Sequence, residues 1–241
     1  MPNKDIDDLV RFLKGKQIST ITKKYHSYLT FHGLKAANVF ILKEGIIKTS
    51  VILQDGREFN ISYINQPDVI SLLHDEALQY DEQPFNVRIE SETATFYQVN
   101  RVEFWQYVNA NSELQNYVKQ YYRHRLSETF ARIQRLTMNG KMGALANFLH
   151  DIAEKFGRDL PDEAGVLIDF NVTNEDIAGF CGIANQTSVS RMMRKLKLED
   201  IIDFGMSNDG KRRIIITNRQ ITSLIRTSPE SFNGSLLMMY F

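Results

Sequence analysis

The run Val172-Thr-Asn-Glu-Asp-Ile-Ala-Gly-Phe-Cys-Gly-Ile-Ala-Asn-Gln-Thr-Ser-Val-Ser-Arg-Met-Met-Arg-Lys-Leu196 decides how this chain is read. It describes two helices around a glycine turn. Thr173 is placed to cap the first, and Asp176, three residues on, can return the bond. Ile177 and Phe180 give that helix an apolar side, and Ala178 is small enough for a close crossing. Gly182 supplies the permissive backbone of a sharp turn. Asn185 then caps a second helix, whose Val189, Met192, Met193 and Leu196 recur at core-facing spacing. Gln186, Thr187, Ser190, Arg191 and Arg194 point elsewhere. A unit of this shape fits a DNA major groove. Arginine can bond guanine through O6 and N7, and glutamine can do the same for adenine. A plain helical hairpin with a solvated basic face has the same pattern, so the context has to separate the two.

The context follows directly. Leu198, Ile201, Ile202 and Phe204-Gly205 lead into Ser207-Asn-Asp-Gly210, a strong hairpin turn signal. Lys211-Arg-Arg213 then precedes the β-branched run Ile214-Ile-Ile-Thr217. The expectation is a β-wing with cations near its tip, placed to touch phosphates. A charged triplet is otherwise a solvated strand edge that discourages aggregation.

Lysine plus arginine and aspartate plus glutamate each number 29, so the global charge does not mark a nucleic-acid binder. The distribution is more telling. Lys119, Arg123, Arg125, Arg132, Arg135, Lys141, Lys155 and Arg158 are opposed in that stretch only by Glu128, Asp151 and Glu154, which reads as a basic stripe. The one cysteine, Cys181, excludes an internal disulfide framework or a cysteine-held cluster within one chain, and reads as a small buried hydrophobe. No apolar run is long enough to span a membrane, and the N-terminus does not read as a signal sequence. A cytoplasmic protein with no membrane partner is expected.

The N-terminal half changes period. A short amphipathic helix near Asp5 to Leu13 is followed, from about Tyr28 to Val99, by alternating strands. Asp55-Gly56 turns Ile46–Leu53 back onto Glu58–Ile64. These short strands suggest a small antiparallel roll. Asn100 and Glu103 open a helix, and Asn111 or Ser112 opens a longer one to about Met138. In it Leu114, Val118, Tyr121, Leu126, Phe130 and Ile133 form an apolar stripe. Packing against a second copy would bury that stripe; packing against the chain's own roll is the alternative. Asn139-Gly140 breaks the pattern, Lys141 to Phe156 is another helix, and Gly157 to Gly165 is a loop. Asp75, Glu76, Asp81 and Glu82 read as a solvated acidic loop. The apolar end, Leu224, Ile225 and Leu236 to Phe241, is expected to dock.

The fold class is therefore α+β, in three parts: a β-roll sensor domain over 1–110, a dimerisation helix over 111–138 and a winged helix-turn-helix over 139–241. This layout resembles the Crp/Fnr family of bacterial transcription regulators over nearly the whole chain. Leu42-Lys-Glu-Gly-Ile-Ile-Lys48 and Asp55-Gly-Arg-Glu-Phe59 are similar to the family's roll hairpins, and Thr173 to Arg191 to its helix-turn-helix. Met138-Asn-Gly-Lys-Met-Gly143, Gly182-Ile-Ala and Val189-Ser-Arg191 look most like the PrfA-like branch. From Gly182 to Arg191 the spacing is one residue longer than in the catabolite-activator branch.

The resemblance implies a homodimer on double-stranded DNA with a pseudo-palindromic operator, and RNA polymerase as a further candidate partner. It implies base contacts from Arg191, Gln186, Thr187, Asn185 and Ser188, and phosphate contacts from Lys141, Thr173, Arg194, Lys195, Arg212 and Arg213. Relatives that bind cyclic AMP carry a Gly-Glu segment and an Arg-Ser/Thr-Ala segment in the roll. Here Ile70-Ser-Leu-Leu-His-Asp-Glu76 and Gln83-Pro-Phe-Asn86 replace them, so a cyclic phosphate would lack its counter-charge. The cysteine set of an iron–sulfur branch is absent, and the scattered histidines suggest no haem or other metal. Some PrfA-like regulators respond to glutathione in a tunnel between roll and DNA-binding domain, which makes Tyr63, Tyr121 and Tyr122 candidate effector contacts. No residue set suggests catalysis: nucleophile elbow, phosphate loop and dinucleotide fingerprint are all missing. The competing reading is a small-molecule-binding roll whose helix-turn-helix serves protein contacts.

Overall fold

A computed structural model describes residues 4–16, 18–70, 82–138, 140–161, 165–207 and 210–217. It divides into two compact units, Met1–Thr129 and Phe130–Phe241. The division falls inside the long helix over 112–138.

The first unit opens with α1 (Lys4–Lys14), then β1 (Ser19–Lys24), β2 (Tyr28–Thr30), β3 (Asn38–Glu44), β4 (Ile47–Ile52), β5 (Glu58–Ile64), β6 (Asp68–Val69), β7 (Asn86–Ile89) and β8 (Thr93–Asn100). Two antiparallel sheets result, in the orders β1-β8-β3-β6 and β2-β7-β4-β5. Alternation in β3 and β8 divides their side chains between two cores. Phe40, Leu42 and Phe96 pack with Ile47, Val87 and Ile89 of the other sheet. Val39, Ile41, Tyr97 and Val99 pack instead with the helices.

Those helices are α1, α2 (Arg101–Ala110) and α3 (Ser112–Met138). The Asn100 side chain caps α2, accepting from the amides of Val102 and Glu103. Asn111 does the same for α3, from Glu113 and Leu114. Ile6, Leu9 and Leu13 of α1 meet Phe104 and Val108 of α2 and Leu114, Tyr117, Val118 and Tyr121 of α3 over the sheet. This corrects the dimer assignment of Leu114, Val118 and Tyr121: they are core residues of their own unit. Their i, i+3, i+4 spacing shows that the helix is amphipathic but not which surface its apolar side meets.

The second unit contains the end of α3, α4 (Gly140–Phe156), β9 (Gly157–Asp159), β10 (Val166–Ile168), α5 (Asn174–Cys181), α6 (Gln186–Leu198), β11 (Ile202–Met206) and β12 (Arg212–Ile216). Its sheet runs β11-β12-β10-β9. The expected loop after α4 is thus partly strand. Gly157 lets β9 leave α4 without a turn; a Cβ there would sit 2.2 Å from the Ala153 carbonyl oxygen and 2.6 Å from Val166. Asn139 of the expected helix break, the acidic residues Asp75, Glu76 and Asp81, His74 and the apolar tail beyond Thr217 lie outside the described residues. Among the described residues no helix is long and apolar enough to cross a membrane.

Candidate nucleic-acid interface

The helix pair forms as its sequence dictates. Thr173 and Asp176 make a full capping box on α5: the hydroxyl accepts from the Asp176 amide at 3.0 Å, and the Asp176 carboxylate accepts from the Thr173 amide at 3.2 Å. Gly182 ends α5 at φ 62°, the left-handed region open to glycine, and its N–H donates to the Ala178 carbonyl. Asn185 caps α6, accepting from the Ser188 amide at 2.9 Å. Ile177, Cys181, Ile183, Val189, Met193 and Leu196 are buried, while Met192 is half-buried. Phe180 stacks on Phe148 of α4 with ring centres 5.0 Å apart. Burial pushes the Cys181 thiol up to about 12 against the pull of Arg132, so it stays protonated at neutral pH, as a small core side chain does.

The opposite side of α6 is wet. Gln186, Thr187, Ser190, Arg191 and Arg194 are all exposed. Rows four residues apart lie along one helix face, so Gln186, Ser190 and Arg194 form one line and Thr187 and Arg191 a second beside it. Lys195 is exposed and lies 3.8 Å from Glu199, a weak surface pair that a phosphate can replace. Lys141, near the start of α4, is also exposed.

Two expected base contacts are less available. The Asn185 side-chain oxygen is committed to the cap, leaving its amide nitrogen for a ligand. Ser188 is half-buried between the outer face and the core. Two expected phosphate contacts are corrected. The Thr173 hydroxyl donates to the Asp176 carboxylate at 2.6 Å, so its proton is already used inside the capping box. Arg213 is only 7% exposed and its Nε lies 4.0 Å from the Asp169 carboxylate. Alternation along β12 sends Arg212 and Arg213 to opposite faces, so one cation of the pair faces out and the other in.

Arg212 has a partner that sequence reading missed. Its guanidinium carbon sits 3.8 Å above the ring of Phe204, and the Lys197 ammonium lies 5.6 Å from the same ring. Lys197 also donates to Asp203, whose carboxyl is held below the usual range by that bond first and by the Phe204 amide second. Phe204 thus gathers one cation from α6 and one from the wing. The tip is closed by the amides of Ser207 and Gly210, which donate to Lys211 and Ser207 carbonyls. Cross-strand pairing sets Phe204 opposite Ile214, diagonal to Arg212.

The basic stripe does not act as one surface. Arg125 is ion-paired with Asp68 and also donates to the Val69 carbonyl at 3.3 Å. Arg132 sits 5.9 Å over the Phe180 ring, and Arg135 lies 3.6 Å from Asp151. Burial raises the Asp68 carboxyl above its ordinary range even though Arg125 pulls it down. Lys119, Arg123, Lys155 and Arg158 remain exposed. Further along α3, Leu126, Phe130 and Ile133 are 57%, 64% and 52% exposed, an apolar stripe left open among the described residues.

The tyrosines proposed for an effector tunnel are not one group. Tyr121 is buried, meets Tyr122 edge-on at 5.5 Å and donates weakly to the Val69 carbonyl. Tyr63 is buried in β5, in the other sheet of the roll, opposite Lys48. Among the described residues no group of three or more His, Cys, Asp or Glu side chains could hold a metal.

Residues 143–221 match the Crp-like helix-turn-helix domain. The chain is 58% identical over 198 residues to the lactate racemization regulatory protein of Lactiplantibacillus plantarum, covering 82% of this chain and 89% of the relative. The chain belongs to the Crp/Fnr family. It is also 28% identical over 164 residues to the listeriolysin regulatory protein of Listeria monocytogenes, 67% of each chain, in keeping with a PrfA-like regulator. A Crp/Fnr-family transcriptional regulator from Thermus thermophilus shares the fold, with a TM-score of 0.68, 16% identity, and coverage of 87% of this chain and 99% of that one. A Crp/Fnr protein with this helix-turn-helix is a DNA-binding transcription regulator, and its relatives are regulators rather than enzymes.

Proposed function

We propose that the chain works as a homodimer on a pseudo-palindromic operator, with one α6 in each of two successive major grooves about 34 Å apart. One observation carries this reading: α6 turns Gln186, Thr187, Ser190, Arg191 and Arg194 outward while Val189, Met193 and Leu196 hold it to the core. Arg191, Gln186 and Thr187 contact bases. Lys141, Arg194, Lys195 and Arg212 contact phosphates. Leu126, Phe130 and Ile133 join the two copies, because an exposed apolar stripe on a helix is stabilised by burial against its twin. The high identity to the Lactiplantibacillus plantarum protein supports control of lactate-racemisation genes.

Control by cyclic AMP or an iron–sulfur cluster is not part of this reading. The Asn86 side chain accepts from the His32 amide at 2.9 Å, a structural bond in the segment where a cyclic-nucleotide binder has its phosphate arginine. Glutathione stays a candidate effector and RNA polymerase a candidate partner, with the cytoplasm as the place of action. An effector needs to favour one arrangement by only a few kcal/mol to switch binding.

Competition binding tests the reading. Arg191→Ala should cost about 1–3 kcal/mol on the operator and leave random duplex binding nearly unchanged. Arg212→Ala should weaken both alike and make the slope of log affinity against log salt shallower by about one. Equal losses on both duplexes for both variants would contradict the division into base and phosphate contacts. Failure of the native protein to prefer any duplex over random competitor would favour the protein-contact alternative.

A further inference from the structure

The polar and basic side chains of the second unit and of α3 differ in whether the fold already engages them. Arg125, Arg132, Arg135 and Arg213 lie against carboxylates or rings of their own unit. Gln186, Thr187, Ser190, Arg191 and Arg194 are exposed, and no hydrogen bond or ion pair among the described residues engages their side chains. The reading face is therefore ready to bond a ligand without first breaking internal contacts. It also has a restricted chemistry. From Gln186 to Leu198 there is no aspartate or glutamate. A carboxylate is the side chain that accepts from the N4 amino group of cytosine; arginine reads guanine, and glutamine reads adenine.

The cap fixes where these side chains stand. Asn185 holds the Ser188 amide, so Gln186 is the first helical residue, at the end that enters a groove. Arg191 follows five residues later, about 7.5 Å along the axis at 1.5 Å per residue. At about 3.4 Å per base pair that is close to two steps. Thr187 and Ser190 lie between, with hydroxyls that tolerate several bases and, at Thr187, a methyl that suits thymine.

We infer that each operator half-site carries an adenine read by Gln186 and a guanine read by Arg191, about two base-pair steps apart, with no cytosine selected through a carboxylate. This rests on the DNA-reading role proposed above and deepens it by naming the bases.

Selection from a random duplex pool, run in parallel with the full native chain, Gln186→Glu and Gln186→Ala, tests it. The native protein should enrich a half-site with adenine and guanine at that separation, each favoured about tenfold or more. Gln186→Glu should convert the adenine to cytosine and leave the guanine in place. Gln186→Ala, which adds no charge, should make that one position indifferent while the guanine persists. A native motif unchanged in both variants, or one with the two bases more than about three steps apart, overturns the inference and leaves DNA reading intact. No enrichment by the native chain overturns the role on which the inference rests.

Discussion

Leu114, Val118 and Tyr121 near the start of α3 are buried with α1, α2 and a sheet of the roll, whereas Leu126, Phe130 and Ile133 further along the same helix are more than half exposed. The two stretches have similar residues and similar spacing. What separates them is what the fold brings alongside. Arg125 stands between them, ion-paired with Asp68 and lying 5.3 Å over the Tyr121 ring, and fixes the first stretch to β6. Beyond it the apolar side chains are exposed. A helix that continues apolar past its own unit is stabilised by a partner, and a second copy of the same helix offers a matching stripe. The first stretch therefore belongs to folding stability, and in the proposed dimer the second serves assembly and, through it, operator binding.

Three substitutions can break or sharpen that contrast. Leu114→Ala removes a buried side chain and should lower stability toward urea by about 2–5 kcal/mol, read from the denaturation midpoint and slope. Its monomer–dimer equilibrium, measured by sedimentation under native conditions, should stay unchanged. Phe130→Asp should do the reverse: it should raise the dimer dissociation constant about a hundredfold by placing an unpaired charge in the interface, with little change in the unfolding of the isolated chain. Matching effects of the two variants on both readouts would erase the distinction between the stretches. Arg135→Ala removes a half-exposed pair with Asp151 and should change unfolding stability by no more than about 1 kcal/mol, a control for charge removal on the same helix.

The contrast also shows what sequence could and could not give. The capping box at Thr173, the left-handed Gly182 and the Asn185 cap are local chemistry, and each stands where its residues imply. The outward row of α6 follows from helical period alone. The fate of the α3 stripe was hidden, because period 3.6 shows that a face is apolar but not which surface meets it. Strands β9 and β10 were hidden for a related reason. Each is three residues long, too short for alternation to register, and pairing defines both. Arg213 was within reach: two neighbouring residues of one strand point to opposite faces, so Arg212 and Arg213 could not both project from the wing. Its neighbour Asp169 is distant in sequence, and no local signal announced it. The stripe from Lys119 to Arg158 misled because charge counts do not show which cations are already paired within the fold.

The central claim is that a shared α3 interface holds two reading helices at one fixed separation on DNA. Anisotropy titrations of the native dimer against its selected operator, and against the same half-sites moved apart by about half a helical turn, measure this most directly. The account predicts a loss of about a hundredfold on the displaced duplex, because the second half-site then faces away from the second α6. Equal affinity for both duplexes would mean that the helices bind independently, and would contradict it.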